Sequence, residues 1–330
     1  MATLSTANGA PTATTSTNEA PPIETTTIVA PSGDKHTHTF IFLHGREDFG
    51  SYMAKDLFDN KSSDGRTLAE IFPSIRWVFP AAKLRYSEKR AYELSISSFA
   101  KAAEGGQMIS QWFDVWDVRD PELKKELSIP GLQESIKFVL GIIKDEARRA
   151  PLERIILGGV SQGCATAILT LLSSRLDLGG FIGWCGWLPF QRDIENLSRT
   201  CINDKSEISR HIQTILQIST NENVIPGASS KDVETDTKSE GEFAITRKEI
   251  DTVLSSQDAG YQSVIKTSVF LAHSKDDETV PFKLGDDLRQ IVKRLGFGVT
   301  WEKYENGGNW IHEEHGVDEM SSFLQRIVDI

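Results

Sequence analysis

The stretch RIILGGVSQGCATAILTLL, residues 154–172, decides the fold. It opens with a short apolar run typical of a buried strand, and it closes with small apolar residues that predict a buried helix. Between them lies Gly159-Val160-Ser161-Gln162-Gly163, a G-x-S-x-G pattern. The glycines remove side chains that would clash in a tight strand-to-helix turn, and the following helix directs its first amides towards the serine hydroxyl. We therefore predict that Ser161 is a nucleophile.

Outward from this turn, apolar strand-like runs alternate with segments of helical periodicity. This order predicts a mainly parallel central sheet with helices on both faces, the arrangement of the α/β-hydrolase fold. The predicted strands are Thr39–Leu43, Arg76–Phe79, Arg154–Leu157, Phe181–Trp184, Ser268–Ala272 and Val299–Tyr304. The predicted helices are Gly131–Arg149, Cys164–Leu172 and Asp286–Leu295.

Two polar segments interrupt or precede this pattern. Residues 1–35 form a Thr-, Ala-, Ser- and Pro-rich stretch without the features of a secretory signal, and we predict a disordered tail. Residues 36–330 are predicted to form one domain. Within it, residues 221–249 are polar and predict an exposed, mobile insertion, for which a surface loop is favoured over a lid.

Composition limits the function. The net charge of −11 disfavours binding to nucleic acid or to an anionic membrane, and no apolar run is long enough for an integral membrane segment. Three cysteines without metal-like spacing indicate free thiols and a cytoplasmic location. No metal or organic cofactor is implied.

A serine nucleophile in this fold is followed along the chain by an acid and then a histidine. Asp276 and Asp277 both follow the fifth strand, where a carboxylate can orient an imidazole. His312 and His315 both follow the sixth. The histidine nearer to the strand end, His312, is the better candidate for the base, whereas His315 resembles a solvated residue at a helix start.

Taken together, these residues resemble the acyl-protein thioesterase/carboxylesterase (phospholipase-carboxylesterase) family of α/β hydrolases, in particular its larger fungal members. The similarity extends from Thr39 to Leu324 without the insertion. The matching motifs are Phe42–Gly45, Ser110–Asp114, Gly159–Gly163, Gly186–Pro189 and His273–Pro281.

The resemblance implies roles for individual residues. It places the acid of the triad on Asp277, and it implies that the backbone amides of Arg46 and Gln162 form the oxyanion hole. The implied lining of the acyl channel is Trp112, Phe113 and Trp187, and the implied substrate is an acyl ester or thioester, either a small molecule or an acylated protein.

Two departures from the family pattern bear on activity. Glu47 occupies a position where the family has glycine, and its charge would oppose an oxyanion unless it turns away or pairs with Arg46. Asn309 occupies the position of the family's catalytic histidine. An amide cannot accept a proton from serine at neutral pH.

Three explanations of Asn309 follow. A reshaped loop brings in His312 as the base, the enzyme has altered chemistry with Asn309 as a hydrogen-bond donor, or the protein binds without turnover. We predict a serine hydrolase of carboxylic esters or thioesters. The alternatives are a catalytically impaired binding protein and an acyltransferase or hydrolase of a biosynthetic pathway.

Overall fold

Seven strands form one sheet in a computed structural model that describes residues 26–96, 108–198, 205–218 and 266–328. Their order is β1-β3-β2-β6-β7-β8-β9, and a separate antiparallel pair joins β4 to β5. Every neighbouring pair in the large sheet is parallel except β1 with β3. The strands are β1 (Thr27–Val29), β2 (His38–Leu43), β3 (Ile75–Phe79), β4 (Leu84–Tyr86), β5 (Met108–Ser110), β6 (Ile155–Val160), β7 (Gly180–Trp184), β8 (Ser268–Ser274) and β9 (Val299–Tyr304).

Helices cover both faces of this sheet. One face packs against α4, α5, α7 and α8, and the other against α1, α2 and α9. The helices are α1 (Gly50–Asp59), α2 (Leu68–Ile71), α3 (Glu88–Ile96), α4 (Ser128–Glu146), α5 (Gln162–Ser174), α6 (Gln191–Ser198), α7 (Lys205–Ile215), α8 (Phe282–Arg294) and α9 (Gly316–Val328).

The two cores follow from strand geometry. Successive side chains of a strand point to opposite faces, so a strand covered on both sides is apolar throughout. In β2, Ile41 and Leu43 pack into one core and Phe40 and Phe42 into the other. All four are fully buried. The continuous apolar runs in the sequence therefore mark the middle of the sheet.

The predicted fold class and all six predicted strands are confirmed. One boundary is corrected: residues 27–29 pair with β3 as an edge strand, so ordered structure begins inside the segment predicted to be a tail. Residues 1–25 and the predicted insertion at 221–249 lie outside the described residues. None of the helices in the described ranges has the length and apolar character that a membrane crossing requires.

Candidate active site

Ser161 lies between the end of β6 and the start of α5, with φ 52° and ψ −119°. Non-glycine residues rarely adopt such a backbone, and strain of this kind persists where the surrounding structure enforces it. The flanking glycines allow the turn: a Cβ at Gly163 would lie 2.2 Å from the carbonyl oxygen of Leu43. The Ser161 amide donates to the carbonyl of Trp184 at 2.8 Å, which ties the turn to the end of β7.

The predicted oxyanion donors lie on either side of this serine. Gln162 is the first residue of α5, so its N–H has no acceptor within the helix. The loop after β2 approaches from the other side, where a Cβ at Gly45 would lie 3.7 Å from the Ser161 Cβ. Arg46 follows directly. The structure therefore places the loop at Gly45, the residue before Arg46, next to Ser161 and Gln162 at the sheet edge.

Glu47 is turned away from this point by a specific set of contacts. Its φ of 63° places it in the left-handed region, and its amide donates to the Ser110 carbonyl at 2.8 Å. Its carboxylate pairs with Arg90 at 2.8 Å. Arg46 instead donates to the side chain of Gln111 at 3.2 Å. Glu47 thus has a cationic partner, but that partner is Arg90 and not Arg46.

Asp277 is buried just beyond β8 and accepts hydrogen bonds on both oxygens. Oδ1 accepts from the amides of Thr279 at 2.9 Å and Val280 at 2.8 Å. Oδ2 accepts from Asn309 Nδ2 at 2.8 Å and lies 3.1 Å from His273 Nε2. Burial by itself raises the pKa of this carboxyl, but the hydrogen bonds from His273, Asn309 and Val280 outweigh it. The net pKa lies below its usual value, so Asp277 is a carboxylate at neutral pH.

Asp276, the other acid that the sequence left open, has a different role. It is exposed, and its two oxygens accept from the amides of Gly308 at 2.9 Å and Gly307 at 3.2 Å. Both glycines have positive φ, 62° and 129°, a conformation that glycine adopts without strain. Asp276 therefore holds the backbone of the loop after β9, while Asp277 meets a side chain of that loop.

Asn309 is the side chain that meets Asp277. The carboxamide nitrogen of asparagine and Nδ1 of histidine are separated from Cα by the same number of bonds, so Nδ2 of Asn309 donates where an imidazole would donate. What an asparagine lacks is the far side of the ring, including the nitrogen that would face the serine. The structure thus keeps the acid-to-donor bond of a triad without its base.

His312 is held elsewhere. Its Nδ1 accepts from the His315 amide at 3.3 Å, and its Nε2 lies 3.4 Å from Asn306 Oδ1. Its ring stacks on Tyr304, with centroids 4.1 Å apart and planes 17° apart. Among the hydrogen bonds of the described residues, none joins His312 to Ser161 or Asp277. The hydrogen bond to Asp277 that was expected of His312 is made by Asn309, and the His312 ring instead stacks on Tyr304. His315 is exposed directly before α9.

Each of the three aromatic residues predicted for an acyl channel is only 1% exposed. Phe113 and Trp187 lie edge to face with centroids 6.0 Å apart, and both line a pocket with Val115, Lys124 and Pro189. Trp112 lies outside this lining and donates its indole N–H to the His44 carbonyl at 2.8 Å. Gln162 joins the aromatics to the serine turn by bonding the backbone of residues 112 and 113.

Cys185, His273 and Asp277 form a buried cluster whose potential ligand atoms all lie within 4.8 Å of one another. His273 Nε2 also lies 2.9 Å from the Val280 carbonyl oxygen. A carbonyl at that distance requires a proton on the nitrogen, and a protonated nitrogen has no lone pair for a metal. The cluster is better suited to hydrogen bonding than to holding a metal. Cys185 and His273 were not singled out from the sequence as site residues.

The chain is similar to known proteins in sequence and in structure. The sequence profile of the Phospholipase/Carboxylesterase family matches residues 24–231, more than half of the chain. The protein belongs to this family of α/β hydrolases. The matched region contains Ser161 and ends before Asp277 and Asn309.

Several fungal relatives carry the name acyl-protein thioesterase 1. The Cryptococcus neoformans protein is 27% identical over 165 residues, which cover 49% of this chain and 59% of the relative. This chain therefore spans less than two thirds of the length of that relative. The Gibberella zeae protein is 22% identical over 303 residues, covering 91% of this chain and 94% of the relative.

Solved structures share the fold. Zea mays acyl-protein thioesterase 2 superposes with a TM-score of 0.55 at 21% identity, covering 92% of this chain and 99% of that chain. Arabidopsis thaliana SOBER1 gives 0.54 at 19% identity, with 88% and 99% covered.

Proposed function

We propose that the protein hydrolyses acyl esters or thioesters, with Ser161 as the nucleophile. The observation that carries this proposal is the strained serine turn at φ 52°, which the first amide of α5 follows and which the loop at Gly45 faces. An ordinary strand-to-helix turn has no need of this geometry, whereas an attacking hydroxyl does. Membership of the Phospholipase/Carboxylesterase family supports the same reaction.

In the proposed reaction the Ser161 hydroxyl attacks the acyl carbonyl carbon, and the carbonyl oxygen becomes an oxyanion. The amides of Arg46 and Gln162 stabilise that charge. The alkoxide or thiolate then leaves and takes a proton from solvent, and water attacks the acyl-serine to release the acid and regenerate Ser161. Phe113 and Trp187 are assigned to the acyl group because Gln162, next to the nucleophile, donates to the backbone of Phe113, which packs edge to face on Trp187.

Asn309 determines which group accepts the proton of Ser161 and whether the leaving group is protonated. Its Nδ2 is committed to Asp277, and an amide oxygen is too weak a base to take the serine proton. The proton therefore passes to solvent, so turnover is slow and rises with hydroxide concentration. Without a general acid the leaving group departs as an anion. A thiolate, whose conjugate acid has a pKa of about 8.5, leaves far more readily than an alkoxide. Thioesters and aryl esters are thus the favoured substrates.

A second candidate function is acyl-group binding without turnover. The bond between Asn309 and Asp277 favours it, because it fills the place of the base with a group that cannot act as one. The two functions share the acyl-binding residues and differ only in whether the acyl group is transferred to Ser161. For location we propose the cytoplasm, supported by the free thiols of Cys164 and Cys185.

Hydrolysis of p-nitrophenyl butyrate and of a butyryl thioester by the purified protein tests the proposal. We expect measurable turnover that Ser161→Ala abolishes. An inert native protein together with an active Asn309→His variant would instead favour acyl binding. Inertness of both proteins would refute the hydrolase proposal.

A further inference from the structure

Cys185 is a buried residue at the start of the Gly186–Pro189 motif, directly after β7. Its side chain is fully buried and its φ is 49°, in the region that glycine adopts without strain. Its amide donates to the carbonyl of Ala272 at 2.9 Å, which ties it to the neighbouring β8. A strained, solvent-free cysteine at the carboxyl edge of the sheet lies beside the candidate site without being part of the serine turn.

The thiol contacts the loop that carries Asn309. Cys185 Sγ lies 3.5 Å from the carbonyl oxygen of Gly308 and 3.4 Å from that of Trp310, so its single S–H proton is shared between these two acceptors. These are the residues on either side of Asn309. One thiol thus contacts both neighbours of the side chain that meets Asp277.

The Cys185 thiol stays protonated, and therefore a hydrogen-bond donor, at neutral pH. Burial raises the pKa of the Cys185 thiol well above its usual value, and the nearby Asp277 carboxylate raises it further. A protonated, inaccessible thiol is a poor nucleophile, and its available chemistry is hydrogen bonding.

We propose that Cys185 is a positioning residue that fixes the side chain at position 309 against Asp277. This inference rests on the proposed function for its kinetic consequence. Asp276 restrains the amides of Gly307 and Gly308 from the solvent side, and Cys185 restrains the carbonyls at 308 and 310 from the interior. Two successive glycines with positive φ would otherwise leave this loop the least restrained part of the site.

Amide hydrogen exchange over residues 306–311 tests the proposal without depending on catalysis. We expect faster exchange in Cys185→Ala, which lacks the donor, and near-native exchange in Cys185→Ser, which keeps one. Cys185→Gly also lacks the donor but relieves the positive φ, so it reports on the loop even where the alanine variant does not fold. The matched control is Cys164→Ala, which removes another buried thiol, one on α5.

Unchanged exchange in both Cys185→Ala and Cys185→Gly would overturn the proposal, and so would equal acceleration in the Cys164→Ala control. Faster exchange confined to the two variants without a donor at position 185 supports it.

Kinetics in an Asn309→His background separate positioning from a general effect on stability. There we expect Cys185→Ala to lower kcat about ten- to a hundredfold, because a displaced catalytic side chain loses its alignment. KM should stay within about twofold, since uniform substrate binding is untouched. Cys185→Ser should restore most of kcat.

A lowered melting temperature with kcat intact would show that Cys185 is merely structural. If neither the native protein nor Asn309→His turns over any ester or thioester, the proposed hydrolase function fails. The exchange experiment then still decides the role of Cys185.

Discussion

Replacing Asn309 by histidine restores to the site a base whose other partners are already in place. The Nδ1–H of the new imidazole takes over the 2.8 Å bond that Asn309 Nδ2 makes to Asp277. Its Nε2 is then the free ring nitrogen, which we expect to accept the proton of Ser161. Asn309 is only half-buried, so part of a larger ring at this position can project into solvent.

The size of the gain follows from the role that is restored. A positioned general base contributes about 10²- to 10⁴-fold to the rate. At about 1.4 kcal/mol per factor of ten, this corresponds to about 3 to 5 kcal/mol of transition-state stabilisation. Asp277 needs no rearrangement to provide it, because its carboxylate is charged and already oriented by the Thr279 and Val280 amides.

The assay is kcat/KM for p-nitrophenyl butyrate between pH 5 and pH 9, for the native protein and Asn309→His. The native rate should rise steadily with hydroxide. The variant should lose activity as pH falls through the pKa of the new imidazole, which lies above the reference value of about 6.5 because Asp277 favours its charged form. Above that pKa its rate should reach a plateau.

His312→Ala provides the control in both backgrounds. Because His312 contacts Asn306 and Tyr304, we expect its removal to change kcat/KM little. A folded Asn309→His variant with less than about a threefold gain would refute this reasoning, since general-base catalysis is worth at least about a hundredfold. A large loss in His312→Ala would show instead that His312 reaches Ser161 during turnover.

Three further outcomes follow from the structure. Ser161→Ala should abolish hydrolysis while the melting temperature stays near that of the native protein, and residual turnover would exclude Ser161 as the nucleophile. Gly163→Ala should destabilise the protein by about 3 kcal/mol or more in urea unfolding, because the new Cβ would lie 2.2 Å from the Leu43 carbonyl oxygen. Burial, and then the charge of Glu302, raise the pKa of Glu319 from 4.5 to about 7. The folded state therefore holds that proton more tightly, and its stabilising effect is present below pH 4.5 and lost as pH rises through 7. Glu319→Gln should flatten the pH dependence of the melting temperature in that window, and an unchanged profile would contradict the assignment.

Strand positions were predictable because strands covered on both faces must be apolar throughout. Residues 40–43 in β2 carry that pattern in full. The edge strand β1 was missed because three residues with only one neighbouring strand leave no such pattern, and their surroundings are polar. The serine turn was predictable because its glycines are required locally, by contacts as short as 2.2 Å.

Nearness to the end of β9 did not predict which side chain, Asn309 or His312, would meet Asp277. Asn309 meets Asp277 because Gly307 and Gly308 take positive φ and because Asp276 holds their amides. His312 stacks on Tyr304, and its ring nitrogens contact Asn306 and the His315 amide. Each of these facts depends on where the loop backbone runs.

The contacts of the Cys185 thiol were even less predictable from the sequence. Its partners lie more than 120 residues along the chain, at Gly308 and Trp310, and no local pattern links them. Only the convergence of strand ends at one edge of the sheet brings such residues together.

The bond between Asn309 and Asp277 also has a genetic consequence. Codons for asparagine and histidine differ only in their first base, so one nucleotide change would exchange the amide for an imidazole. Since Asp277 presents the same acceptor to either side chain, that change would demand no compensating mutation in the acid or in the serine turn. A gene for the weak or silent form of this site thus lies a single mutational step from a gene for a complete triad, and selection on a population could move between them in either direction.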